Sequence, residues 1–188
     1  MLQDGLVWSN LILGAATLIC GLILLPRTRV GATIFFAAGA SASAGALFHA
    51  AFGSIFMPPG SLLWMFVLAA AAASALALSH YAFGQLRLVP VWLLIFLGYL
   101  TLAYAHDRSL IWTGVLQIGG SILYGLSLLA SAKKSANQQT VVYFIAYAAV
   151  TIFSAIIGTA GGNSGLVVFH LSETLAAICL FLSIRAHR

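Results

Sequence analysis

The chain has 188 residues, of which 62% are hydrophobic and only 6% charged. A water-facing domain is typically about one quarter charged, so a soluble enzyme, a disordered segment and a coiled coil are excluded. The net charge of +5 does not point to nucleic acid, because the basic residues sit singly or in pairs between apolar runs.

A bilayer-crossing helix needs roughly 20 mostly apolar residues. Seven runs meet this: Leu6–Leu25, Val30–Phe56, Ser61–Phe83, Leu88–Ala105, Ser109–Ser131, Thr140–Ala160 and Gly165–Ile184. Pro, Gly or charge marks most of the short joints between them, as a helix stop requires. The runs are too long and too continuously apolar for barrel strands. The expected fold is an all-α, seven-transmembrane helix bundle forming one membrane domain over residues 1–188. A multi-pass protein of a bacterial inner membrane is the expected location.

Span 1 lacks a basic leader and is too long for an ordinary signal-peptide core. Cys20 follows Ile19, too large for a lipoprotein cleavage site, so Cys20 reads as a core residue. Cys20 and Cys179 both fall inside spans, which argues against a structural disulfide. Span 2 holds a run of small residues from Ala38 to Gly45, and span 3 another from Ala69 to Ala75. Small residues let helices approach closely in lipid, so spans 2 and 3 are expected in the interior.

Basic residues set the orientation. Arg27 and Arg29 follow span 1, Arg87 follows span 3, Lys133 and Lys134 follow span 5, and Arg185 and Arg188 fall at the end of span 7. Only Arg108 falls on the other side. This bias places the N-terminus, with Asp4, outside and the C-terminus in the cytosol.

Ionisable groups inside a membrane are costly and usually functional. His49 lies roughly 10 Å below the outer end of span 2, and His170 about 8 Å below the outer end of span 7. Glu173, the only acidic residue inside a span, follows His170 by about one turn. Asn10 and Gln117 fall in the same outer layer, with Ser154, Ser172 and Thr174 near it and His106 and Asp107 at the outer mouth. Zinc takes imidazole nitrogen and carboxylate oxygen, and a catalytic site needs three protein ligands plus a water. His49, His170 and Glu173 would supply three, with His106 as a replacement. Asn10, Gln117, His106 and Thr174 would orient a ligand or substrate from behind. The competing reading is that each His bonds a neighbouring helix and Glu173 stays protonated. His80, near the inner end of span 3, is expected to make an interfacial hydrogen bond, and His187 to be solvated. The four tryptophans, Trp8, Trp64, Trp92 and Trp112, read as interfacial anchors.

The stretch Gly45-Ala46-Leu47-Phe48-His49, together with Phe169-His170, resembles the CREST superfamily of seven-span membrane proteins, which includes alkaline ceramidases and adiponectin-receptor-like proteins. The resemblance covers the layout of all seven spans, and residue by residue it carries His49 and His170. In that family three histidines hold zinc, with a Ser and an Asp close to its water. Gly45 stands where the Ser would be, span 3 has no Asp, and Thr174 stands where the last His would be. The resemblance implies zinc-dependent hydrolysis of a lipid amide or ester, with a membrane lipid as partner and Glu173 as ligand or catalytic base.

Three other classes compete. Retinal binding through a span-7 Lys is excluded, because the only lysines are Lys133 and Lys134 in a loop. A haem protein would use His49 and His170 as axial ligands. A small transporter would be supported by repeats or broken helices, and no clear repeat is visible. A non-catalytic lipid-binding bundle is a further alternative.

Overall fold

The computed structural model describes residues 2–52, 60–83, 88–105, 111–132, 138–160 and 162–187. These form seven helices and, among the described residues, no strand. They are α1 (Leu2–Leu24), α2 (Arg29–Phe52), α3 (Gly60–Phe83), α4 (Val89–Ala105), α5 (Ile111–Ala132), α6 (Gln138–Ala160) and α7 (Gly162–Ala186). Each tracks one of the seven apolar runs. Six are long and apolar enough to cross a membrane, and α4 is the shorter apolar one. The chain is therefore a multi-pass integral membrane protein in composition and helix length. His106, Asp107, Arg108, Arg87, Lys133, Lys134 and Arg188 lie outside the described residues.

The six long helices close into a ring: α1 packs on α2, α2 on α3, α3 on α5, α6 on α7 and α7 back on α1. The remaining seam, between α5 and α6, is sparse. Helix α4 lies outside the ring and packs on α3. Its Tyr99 hydroxyl meets the Leu68 carbonyl of α3 (3.3 Å) and Thr113 Oγ1 of α5 (2.6 Å).

Burial follows the small-residue runs. Half of the α2 span is buried, against 11% of the α6 span, which places α2 in the interior of the bundle and α6 at its periphery. The close packing of α2 on α3 lets serines reach backbone across the gap. Ser41 donates to the Val67 carbonyl (2.9 Å) and Ser74 to the Ile34 carbonyl (2.8 Å). Each hydroxyl gains a partner that hydrocarbon cannot offer.

The main core cluster draws Cys20, Phe35, Leu78, Tyr124, Tyr147, Phe181 and Ile184 from all six ring helices. Tyr124 bonds Ser183 Oγ (3.1 Å), and Ser183 donates to the Thr140 carbonyl (3.0 Å), tying α5, α7 and α6 together. Cys20 and Cys179 are free thiols, Cys20 buried in this core as expected. Trp8 is 65% exposed, in keeping with an anchor. The Trp64 ring packs 5.0 Å from that of Phe48. Trp92 packs near Phe83, and its buried Nε1 has no hydrogen-bond partner among the described residues. His80 departs from expectation, since its buried Nδ1 has no hydrogen-bond partner among the described residues. His187 is half-exposed, and its ring stands edge-on to Tyr124, 6.5 Å away.

Candidate functional site

The α1–α7 contact carries a constrained polar group in the half of the bundle where α1 and α7 begin. Asn10 lies on α1 and His170 on α7, each about eight residues, or roughly 12 Å, from the start of its helix. The two residues therefore meet at one depth. Asn10 is 4% exposed. Its Nδ2 donates to the Leu6 carbonyl one turn back (2.9 Å) and lies 3.2 Å from His170 Nδ1.

This arrangement sets the chemistry of the ring. A carbonyl can only accept, so the Leu6 oxygen fixes which end of the Asn10 side chain is the amide nitrogen. The second N–H of that nitrogen then points to His170 Nδ1, which must accept. A neutral imidazole that accepts at Nδ1 carries its proton at Nε2. His170 is thus held as a hydrogen-bond donor through Nε2–H. Ser9, 2% exposed, packs beside this pair: its hydroxyl donates to the Leu6 carbonyl (3.2 Å), and its Oγ lies 3.3 Å from His170 Nδ1.

Gly45 makes room for this lock. A Cβ built at Gly45 would lie 3.0 Å from Asn10 Oδ1. Any side chain there would press on the asparagine that orients His170. His49, one helical turn further along α2, is close enough to interact electrostatically with His170. Its ring stands edge-on to Phe48, with 5.5 Å between centroids. The structure therefore joins Asn10 to His170 by a hydrogen bond and places His49 within electrostatic range of His170.

Glu173 belongs to a different group. Three residues of helix turn it about 60° from His170 around the axis. That rotation carries it from the α1–α2 side to the α6 side, where its carboxyl meets the Ser154 hydroxyl and lies within electrostatic range of Tyr147. Ser154 is fully buried and donates its own proton to the Val150 carbonyl (2.8 Å). Gln117 also joins this second group rather than the histidines. Its Nε2 donates to the Tyr147 hydroxyl (3.0 Å), which also meets Ser121 Oγ (2.7 Å). Thr174 satisfies itself on its own helix, donating to the His170 carbonyl (2.9 Å).

The expected zinc triad does not assemble. Among the described residues, no three His, Cys, Asp or Glu side chains are grouped so that they could hold a metal ion. The donor chemistry agrees. A zinc-bound histidine binds through a bare nitrogen and donates its other N–H to a partner. His170 does the reverse, accepting at Nδ1. His106, the replacement ligand, lies outside the described residues.

Ser9, Ser121 and Tyr147 were not legible as members of these groups. Ser9 is adjacent to Asn10, which is the only hint in sequence. Tyr147 sits in the middle of an apolar run and reads as core. Compared with protein-family models, curated proteins and solved structures, the chain finds no match.

Proposed function

We propose that this protein spans the membrane seven times, with its N-terminus outside and its C-terminus cytosolic. We further propose that its outer half binds the carbonyl of a lipid amide or ester at His49 and His170. One observation carries the reading: Asn10 Nδ2, fixed by the Leu6 carbonyl, lies 3.2 Å from His170 Nδ1 and makes the ring a donor at Nε2. A neutral donor inside a bilayer is matched by a carbonyl oxygen, the commonest acceptor that amide and ester lipids bring to that depth. A protein confined to the membrane meets such molecules by lateral diffusion. Zinc has no part in this reading.

The test is photo-crosslinking in vesicles with a clickable acyl-amide lipid carrying its photoreactive group near the amide. Labelled peptides are expected from α1, α2 and α7. Asn10→Ala and His170→Ala are expected to reduce that labelling at least fivefold. Labelling confined to α4, or unchanged in both variants, would sink the proposal.

A second reading rests on one distance. Ser9 Oγ, 3.3 Å from His170 Nδ1, is placed as a nucleophile beside a base, which would make the protein a metal-independent lipid hydrolase. It ranks behind binding for two reasons. The Asn10 N–H already occupies the Nδ1 lone pair that would take the serine proton. Ser9 is also buried against α7. A fluorophosphonate lipid that labels the wild type and not Ser9→Ala would promote it to first place.

A further inference from the structure

The second polar feature lies at the opposite end of the bundle. A cavity of about 400 Å³ opens between the inner ends of α1, α3 and α7. It is lined by Leu24, Arg27, Thr28, Tyr81, Ile184, Arg185 and His187. Two guanidinium groups and an imidazole thus meet an apolar floor of Leu24 and Ile184. Both arginines are exposed, while Leu24 and Ile184 belong to the buried core. Each cationic element is braced. The Arg185 guanidinium carbon stands 6.0 Å from the Phe181 ring centroid, and the His187 ring is edge-on to Tyr124. Thr28 Oγ1 accepts from the Gly31 N–H (3.1 Å) and caps α2, holding the Arg27–Thr28 turn in place.

The charge here is not balanced from within. The chain has three acidic side chains, Asp4, Asp107 and Glu173. Asp4 starts α1 at the far end, Glu173 lies nearer that end of α7 than the pocket does, and Asp107 lies outside the described residues. Among the described residues, no side-chain carboxylate is placed to pair with Arg27 or Arg185. Arginine pairs best with planar or tetrahedral oxyanions through its fork of N–H donors. Basic pockets between helices, where they leave the bilayer on the cytosolic side, suit phosphate headgroups, with the acyl chains running along the adjoining apolar wall.

We propose that this pocket binds a phosphate oxyanion, delivered as the headgroup of an anionic phospholipid and held by Arg27 and Arg185. The apolar floor favours the lipid over a free anion, because Leu24 and Ile184 contribute nothing to holding inorganic phosphate. The site is independent of the histidine site in the outer half and shares no residue with it.

The experiment is native mass spectrometry of the detergent-solubilised full chain, titrated in turn with phosphatidylglycerol and phosphatidylcholine. A parallel arm measures the thermal shift caused by inorganic phosphate. Wild type is expected to retain phosphatidylglycerol at least fivefold better than phosphatidylcholine. Arg27→Ala and Arg185→Ala should each abolish that preference, and Arg29→Ala, outside the pocket, should keep it. Arg27→Lys and Arg185→Lys hold the charge with less disturbance of the fold and should recover part of the preference. Loss of a phosphate-induced shift in the alanine variants, with no lipid preference in wild type, would support the oxyanion site and assign it to free phosphate. Equal lipid preference and equal phosphate response in wild type and both alanine variants would overturn the proposal. So would a preference lost equally in Arg29→Ala, which would reduce it to surface charge.

Discussion

Asn10 Nδ2 lies 3.2 Å from His170 Nδ1, across the contact between the first and last helices of the bundle. The same nitrogen is tied to the Leu6 carbonyl, so this one amide fixes the tautomer of the histidine. Nitrogen-15 spectra of imidazole-labelled protein in detergent are expected to show His170 as the Nε2–H form. Asn10→Ala is expected to give a mixture of tautomers and to lower stability by about 1 kcal/mol, the usual size of such an interhelical bond. A wild-type spectrum dominated by Nδ1–H would refute the lock.

Gly45 tests the same lock from its other side. Gly45→Ala would place a methyl group 3.0 Å from Asn10 Oδ1. Either Asn10 rotates or α1 and α2 separate by a few tenths of an ångström. Overpacking of this kind costs about 1–3 kcal/mol. The expected readout is a lowered melting temperature together with the mixed His170 tautomers of Asn10→Ala. An unchanged spectrum would show that Gly45 does not control the site.

The sparse α5–α6 seam is bridged by the hydroxyl of Tyr147, which meets Gln117 and Ser121. Tyr147→Phe removes both bonds and keeps the ring. A loss of about 0.6–1.5 kcal/mol is expected. Faster amide exchange should appear in α5 and α6 but not in α2. Uniform exchange changes across the bundle would argue against a local seam.

Metal content separates the donor site from the zinc site that the sequence alone anticipates. Protein purified with zinc present is expected to hold well under one ion per chain. Chelation should leave its melting temperature unmoved, and His49→Ala should not change the metal content. Close to one zinc per chain, lost in His49→Ala and His170→Ala, would restore the metal reading.

The orientation is open to cysteine labelling. Ser164→Cys, at the start of α7, is expected to react with an impermeant maleimide from outside in intact cells. Ser135→Cys, in the joint after α5, should react only after permeabilisation. Reaction of both from one side would end the seven-span topology.

The number of apolar helices and their approximate ends were legible in the sequence, because burial in hydrocarbon demands about 20 apolar residues per crossing. That demand is local to each helix. The shared depth of Asn10, His49 and His170 was legible for a similar reason, since depth follows from counting residues along a rigid rise. The interior placement of α2 was readable from its small residues. What only the tertiary structure decided is azimuth: which way each side chain faces around its helix. In a helix that is apolar all round, hydropathy carries almost no such information. Glu173, one turn from His170, therefore looked like a partner of the histidines. In the assembled ring it turns to Ser154 on α6, and His170 turns to Asn10 on α1. Neighbourhood was hidden for the same reason. Nothing in its sequence marks α4 as the helix left outside the ring, or shows that Arg27, Arg185 and His187 share one pocket. Those relationships arise from packing between distant segments, which no local pattern records.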